Sequence, residues 1–134
     1  MSRTIVITGA ASGIGKATAE LCRAAGDTVI GVDLSGTDIS ADLSKPEGRA
    51  AMVAEVTRMA PGGIDSLLAG AGISRPDAIA VAVNYYGTVA TLEGLRPLLA
   101  RSASPRAVAI CSTAALLQGN DAVVEACLAG DETA

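Results

Sequence analysis

The sequence predicts an α/β protein built on a doubly wound parallel sheet, and three observations carry that prediction. Short, β-branched apolar runs alternate along the chain with stretches of helical spacing. Those apolar runs are near-continuous rather than alternating, as strands buried on both faces should be. The core must also be assembled from Ala, Val, Leu and Ile: half of the 134 residues are hydrophobic, Phe and Trp are missing, and Tyr85 and Tyr86 are the only aromatics. Small side chains of this kind let helices lie close on a sheet.

The elements follow in order. Arg3 to Thr8, RTIVIT, is a buried strand ended by Gly9. From Gly13 to Ala25 the apolar positions Ile14, Ala17, Leu21 and Ala24 recur at helical spacing, and Gly26 stops the helix. DTVIGVDL is a second strand closing on Asp33, and a short third strand centres on Ile39. Pro46 stands where a first helical turn tolerates it and opens a helix that runs to Pro61. GIDSLLAGAG is a fourth strand that runs into Gly70 and Gly72. A long helix is expected from about Asp77 to Leu99, with Gly87 and Gly94 as weak points. A fifth strand, RAVAICST, and a short helix, DAVVEACLA, ending at Gly130, complete the chain. This alternation is the pattern of right-handed parallel crossovers, and the length fits one domain with a real core.

Composition narrows the function. The net charge is −4 and the ten Lys and Arg are scattered, so nothing supplies the basic stripe that nucleic acid would need. Cys22, Cys111 and Cys127 are odd in number and show no metal-ligand spacing, and the chain has no His. Disulfides and a metal site are therefore not expected, and reduced thiols in the cytoplasm are. No apolar stretch approaches the roughly 20 residues of a spanning helix, so no membrane partner is expected. The short apolar run in MSRTIVITGA does not make a signal peptide. A soluble, cytoplasmic protein is the expectation.

The most informative stretch is VITGAASGIGKAT, where Gly9, Gly13 and Gly15 lie between the first strand and the first helix. Ligands of a doubly wound sheet sit beyond the carboxyl ends of its strands. Each glycine has a physical use there. Gly9 lets the chain turn sharply off the strand, Gly13 lets backbone approach a pyrophosphate, and Gly15 lets helix and strand pack closely. A glycine-rich turn with no ligand is the plain alternative, and Asp33 alone would read as a strand-end turn residue. Their combination decides. Asp33 closes the second strand about twenty residues beyond the loop, where an acid accepts hydrogen bonds from an adenosine ribose. Loop, strand, helix and acid together make a dinucleotide site with a phosphate cradle.

The glycine spacing is Gly-x-x-x-Gly-x-Gly behind Thr8, and TGAASGIG in this form resembles the short-chain dehydrogenase/reductase family. Other motifs of that family follow in order between residue 3 and about residue 117. ADL, Ala41 to Leu43, matches the segment whose acid, here Asp42, contacts adenine, with Leu43 beside it. AGAG, Ala69 to Gly72, stands where the family usually has NNAG, so both asparagines are replaced while Ala71 and Gly72 remain. VNYYG supplies Asn84, the family's active-site asparagine, and ICST supplies Ser112, its catalytic serine. Ser12 and Ile14 complete the cofactor loop. ADLSKPEGR, VNYYG and LAGDE are further similar to the 3α-hydroxysteroid dehydrogenase/carbonyl reductase branch, in which residues 120–134 would begin a helical insertion.

The resemblance implies a Rossmann-type sheet of five strands in the order 3-2-1-4-5, with helices on both faces. It implies hydride transfer between a nicotinamide cofactor and a small-molecule carbonyl or alcohol, in a homo-oligomer (dimer or tetramer). The cofactor carries the chemistry, and a serine hydroxyl stabilises the substrate oxygen. NAD(H) is expected over NADP(H), because a 2′-phosphate would meet the like charge of Asp33, and Ala11 and Leu34 beside it offer no cation. The family's Tyr-x-x-x-Lys pair is absent. Val89 lies four residues after Tyr85, Ala90 four after Tyr86, and Lys16 and Lys45 are the only lysines. Tyr85 and Tyr86 are instead expected to pack the long helix. The chain is therefore expected to be the N-terminal, cofactor-binding half of such an enzyme, truncated relative to the family. A non-catalytic dinucleotide-binding module is the alternative. Either way the fifth strand would be a bare apolar sheet edge, open to pairing, with an exposed apolar patch beside it.

Overall fold

The computed structural model describes residues 1–134. Strands β1 (Thr4–Thr8), β2 (Thr28–Asp33), β3 (Ile39–Ser40), β4 (Ser66–Ala69) and β5 (Arg106–Ala109) form one parallel sheet in the order β3-β2-β1-β4-β5. The chain winds outward from β1 to β3, returns, and continues on the other side with β4 and β5. The switch point therefore lies between β1 and β4.

Register lines up the carboxyl ends. Thr8 is level with Val32 and with Ala69, and Ala69 is level with Ala109. The loops leaving β1, β2, β4 and β5 thus emerge along one rim. The helices are α1 (Gly13–Ala24), α2 (Pro46–Met59), α3 (Ala78–Val81), α4 (Thr88–Leu99) and α5 (Asp121–Ala129). Helices α2 and α4 share one face of the sheet, where Met52, Val56, Leu95 and Leu98 pack on Val6, Ile30, Val32 and Leu67. On the other face α1 supplies Ala19 to a smaller cluster with Ile5, Ile7 and Val29.

Two elements differ from expectation. The long helix is continuous, but Ala82–Gly87 between α3 and α4 is π-helical, and Gly87 ends that segment. Gly94 is no break; it sits inside α4 where α4 closes on Val53 of α2, and a side chain there would collide. The fifth strand stops at Ala109 rather than running through Thr113. Its partner β4 ends at Ala69, so after the Ile110 N–H reaches the Ala69 carbonyl (3.1 Å) the chain has no ladder to follow. It turns instead into a 3₁₀ segment, Thr113–Leu116.

Polar stitches close the amino-terminal rim. Asp27 accepts from the Arg3 N–H (3.0 Å) and guanidinium (2.5 Å), joining the starts of β1 and β2. Asp65 accepts from the Thr4 N–H (2.9 Å) and the Ser102 hydroxyl (2.7 Å), joining β1 to β4 and to the end of α4. Asn120 caps α5, which ends on Gly130 in the left-handed conformation (φ 72°). Tyr86 packs edge-on against Tyr85 and donates to the Ala126 carbonyl (3.3 Å), holding α5 down. No helix is long and apolar enough to cross a membrane.

Candidate cofactor cleft

The site starts from Thr8, the last residue of β1. Its hydroxyl oxygen accepts from the N–H groups of Gly70 (3.1 Å) and Ala71 (3.2 Å), pinning the loop after β4 to the end of β1. Gly9 then takes φ +74°, and a Cβ on it would lie 2.8 Å from the Gly70 carbonyl oxygen. The turn needs glycine for both reasons. Gly13 also has a positive φ, 54°, but a Cβ there would meet no protein atom within 4 Å. That open side faces the cleft. A Cβ on Gly15 would collide with the Gly9 carbonyl, so α1 begins directly against the turn.

Ser12 precedes α1 in an extended conformation, and its side chain caps nothing. The N–H groups of Gly13, Ile14 and Gly15 have no acceptor in the protein, and the first turn of α1 holds no acid. Three free donors at the positive end of a helix dipole form an anion site. Asp33 closes over the same loop: its carboxylate accepts from the Ala11 N–H (3.0 Å) and from its neighbour Leu34 (2.7 Å).

The far wall comes from the segment after β3. Asp42 accepts from the Ser44 N–H (3.0 Å) and hydroxyl (2.6 Å). Those bonds, the hydroxyl first, hold its carboxyl below the ordinary range, and the charges of Lys45 and Arg49 add to the effect against a desolvation that opposes it. Leu43 is buried.

Together these residues enclose a cleft of about 590 Å³ at the carboxyl rim of β1, β2 and β4. Gly9, Ser12, Gly13, Ile14, Gly15 and Asp33 line one side; Asp42, Leu43, Ala71 and Gly72 line the other. The three free N–H groups, the open side of Gly13 and the acid at the end of β2 fit a dinucleotide. Ser44, Arg75 and Ile110 also line the cleft and were not picked out from the sequence. Ser44 follows ADL directly; Arg75, paired with Asp77 at 2.8 Å, carries no local signal.

The two expected catalytic side chains lie outside the lining of this cleft. Asn84, in the π-helical segment, spends its amide on the backbone of Ile73, accepting from its N–H and donating to its carbonyl, both at 2.8 Å. It thereby fixes the loop after β4. Ser112 lies three residues past the end of β5 and starts the 3₁₀ segment, where its hydroxyl oxygen accepts from the Ala114 N–H (3.1 Å). Its own proton has no acceptor in the protein.

A family model described as short chain dehydrogenase matches residues 3–124. The chain belongs to this family. It is 37% identical over 113 residues to the 3-alpha-hydroxysteroid dehydrogenase/carbonyl reductase of Comamonas testosteroni, covering 82% of this chain and 44% of the relative. It is 38% identical over 109 residues to the coniferyl-alcohol dehydrogenase of Pseudomonas sp. (strain HR199 / DSM 7063), covering 72% of this chain and 41% of that one. Among solved structures, the 3-alpha-hydroxysteroid dehydrogenase of Pseudomonas sp. B-0831, crystallised with NADH, superposes with a TM-score of 0.89 at 47% identity, over 96% of this chain and 53% of that one. The chain thus spans about half the length of these family members.

Proposed function

We propose that this chain is the cofactor-binding part of an NAD(H)-dependent oxidoreductase that interconverts a secondary alcohol and a ketone. A hydroxysteroid or another carbonyl compound is the substrate class that the names of its relatives support. The observation that carries the reading is the set of free N–H groups of Gly13, Ile14 and Gly15, facing a cleft closed by Asp33. When bound, the nicotinamide supplies or accepts the hydride. The chain's own residues bind and orient. The start of α1 takes the pyrophosphate, Asp33 takes the adenosine ribose, and Asp42 and Leu43 border the adenine. Asn84 positions the Ile73 loop, and the unengaged Ser112 proton is available to a substrate oxygen. Asp33 and Leu34 border the ribose end without a cation, which favours NAD(H) over NADP(H). The uncovered edge of β5 supports a homo-oligomer, and the thiol usage and composition support a cytoplasmic setting.

One observation favours a second reading, a dinucleotide-binding module without turnover: these 134 residues contain no Tyr-x-x-x-Lys pair to handle the proton. Fluorescence titration with NADH and NADPH tests the first reading. NADH should bind at least about tenfold more tightly, and Asp33→Ala should narrow that gap, one charge contact being worth about that factor. Tighter binding of NADPH would overturn the cofactor choice, and binding of neither would overturn the site. Ketone reduction by the same sample, its mass confirmed as the 134-residue chain, would dispose of the module reading.

A further inference from the structure

The stretch ADLSKPEGR contains two residues, Gly48 and Arg49, that do not themselves line the cleft, yet both bear on its wall. A Cβ on Gly48 would collide with the Asp42 carbonyl, so α2 starts directly against the backbone of Asp42. Arg49 follows as a buried guanidinium, 7% exposed. Its Nε donates to the Leu43 carbonyl at 2.8 Å, and one Nη reaches the carbonyls of Ser44 and Ala82, both at 3.3 Å. One cation thus joins the Asp42–Ser44 wall to the π-helical segment beside it. The Tyr86 ring lies under the guanidinium carbon at 5.6 Å.

Neutral carbonyls and one ring face do not balance a buried positive charge. Glu132 does. From the segment after α5, 83 residues along the chain, its carboxylate accepts from both terminal nitrogens of Arg49, one bond at 2.7 Å and the other, to Oε1, shorter still. The pair is two-pronged, a geometry that a lysine cannot reproduce while also reaching three carbonyls.

We propose that Arg49 is a positioning residue for the adenosine side of the cleft, and that Glu132 holds its guanidinium in place for that task. The proposal rests on the dinucleotide reading above. Without Glu132 the guanidinium is a buried charge hydrogen-bonded only to carbonyls, with the Tyr86 ring and the charge of Asp42 near it but no carboxylate bonded to it, and swinging into water relieves it. The Leu43 and Ser44 carbonyls are then released, and the wall that borders the adenine loses its fixed position. Docking of the Glu132 segment and binding of the adenosine part are therefore coupled, each favouring the other.

The test is calorimetric titration of the full chain with NADH and separately with AMP, for wild type, Glu132→Gln and Arg49→Lys. Measurements are made well below each variant's unfolding midpoint. Glu132→Gln should weaken NADH and AMP by the same factor, about three- to tenfold, and Arg49→Lys by about tenfold or more. A clasp that only stabilises the fold would lower the midpoints and leave both affinities at the wild-type value; that result overturns the proposal. Should Arg49→Lys fail to fold, Glu132→Gln decides alone, since the amide keeps size and an acceptor. If wild type binds neither ligand, the dinucleotide reading itself falls. If wild type binds both and Glu132→Gln binds them equally well, only the role of Arg49 and Glu132 falls.

Discussion

The two faces of the sheet are built very differently. Across the face under α2 and α4, the register row Ile30, Val6, Leu67 is buried across three strands, at 3%, 0% and 2% exposure, and opens to solvent only at its last member, Ala107 of β5. Across the face under α1, the row Gly31, Ile7, Leu68, Val108 begins buried, becomes half-buried at Leu68 and ends 55% exposed at Val108. Helix α1 covers β1 and β2, and no helix of the chain follows it over β4 and β5. Stability therefore rests mainly on one layer. The cleft lies at the border of the two: the glycine loop belongs to the thin face, where Ala10 and Ala19 pack, and Ala41 and Leu43 belong to the thick one. The thick side is held by apolar packing. The glycine loop is held by hydrogen bonds from the ends of β2 and β4, and by contacts too close for any side chain.

Adjacent residues on β4 give the sharpest test, because Leu67 and Leu68 share a backbone and face opposite ways. Leu67→Ala should cost about 3–4 kcal/mol, as for a fully packed leucine, and Leu68→Ala about 1–2 kcal/mol, since part of that side chain already meets water. Urea unfolding of both variants measures the difference. Equal losses would mean that the α1 face is as well covered as the other, and the comparison would fail.

The same asymmetry explains what the sequence could convey. Near-continuous apolar runs read as strands buried on both faces, which holds for β1 and β2 and fails for β5, where Val108 is exposed, as is Ile110 just beyond it. Hydrophobicity reports what a strand can bury, and says nothing of whether a cover is present. The glycine loop was legible because Gly9, Gly13 and Gly15 each answer a backbone demand, a turn, an open approach or a close contact, that few other residues meet. The end of β5 was not, since it is set by the length of β4 and not by ICST itself. The π-helical turn at Asn84 left no mark either, because the apolar period continues through it. Arg49 and Glu132 lie in the stretches ADLSKPEGR and LAGDE, yet nothing local marks them as a pair: partners 83 residues apart meet only once α5 has docked. At Gly70 a Cβ would sit 2.9 Å from the Thr8 carbonyl oxygen, and the loop is pinned there by the Gly70 backbone N–H.

Where the thin face lacks helices, carboxylates at the amino rim join its strands, and acid should reveal their share. Asp27 is held below the ordinary range by the Arg3 guanidinium and then the Arg3 N–H, and Asp65 by the Ser102 hydroxyl and then the Thr4 N–H. Both bind a proton less readily in the fold than in the unfolded chain, whose aspartates titrate near about 3.9. Their contribution is whole above that value and drains as pH falls through the lower folded value. The wild-type urea midpoint should decline between about pH 5 and pH 3. Asp65→Asn should start lower at neutral pH and decline less over the same interval. An undiminished decline would show that Asp65 does no stitching, leaving the slope to Asp27, Asp42 and Glu132, whose carboxyls are lowered as well.

The smallest effect on stability is expected at the open end of the thin face. β5 pairs with β4 on one side and has no strand on the other, so its outer N–H and carbonyl groups form an unused ladder. Arg106 is the single charge on this strand, and exposed Val108, with Ile110 just past the strand's end, makes the edge apolar, a combination that invites a second copy to pair edge to edge. Val108→Lys leaves the buried rows untouched and should change unfolding free energy by no more than about 0.5 kcal/mol. It sets a second positive charge two residues from Arg106 on the same face, where two paired copies would bring like charges together. Analytical ultracentrifugation across a concentration series should show wild type associating and Val108→Lys remaining monomeric. Association unchanged by the substitution would place the contact elsewhere, with exposed Leu116 and Leu117 of the following segment as the next surface to alter.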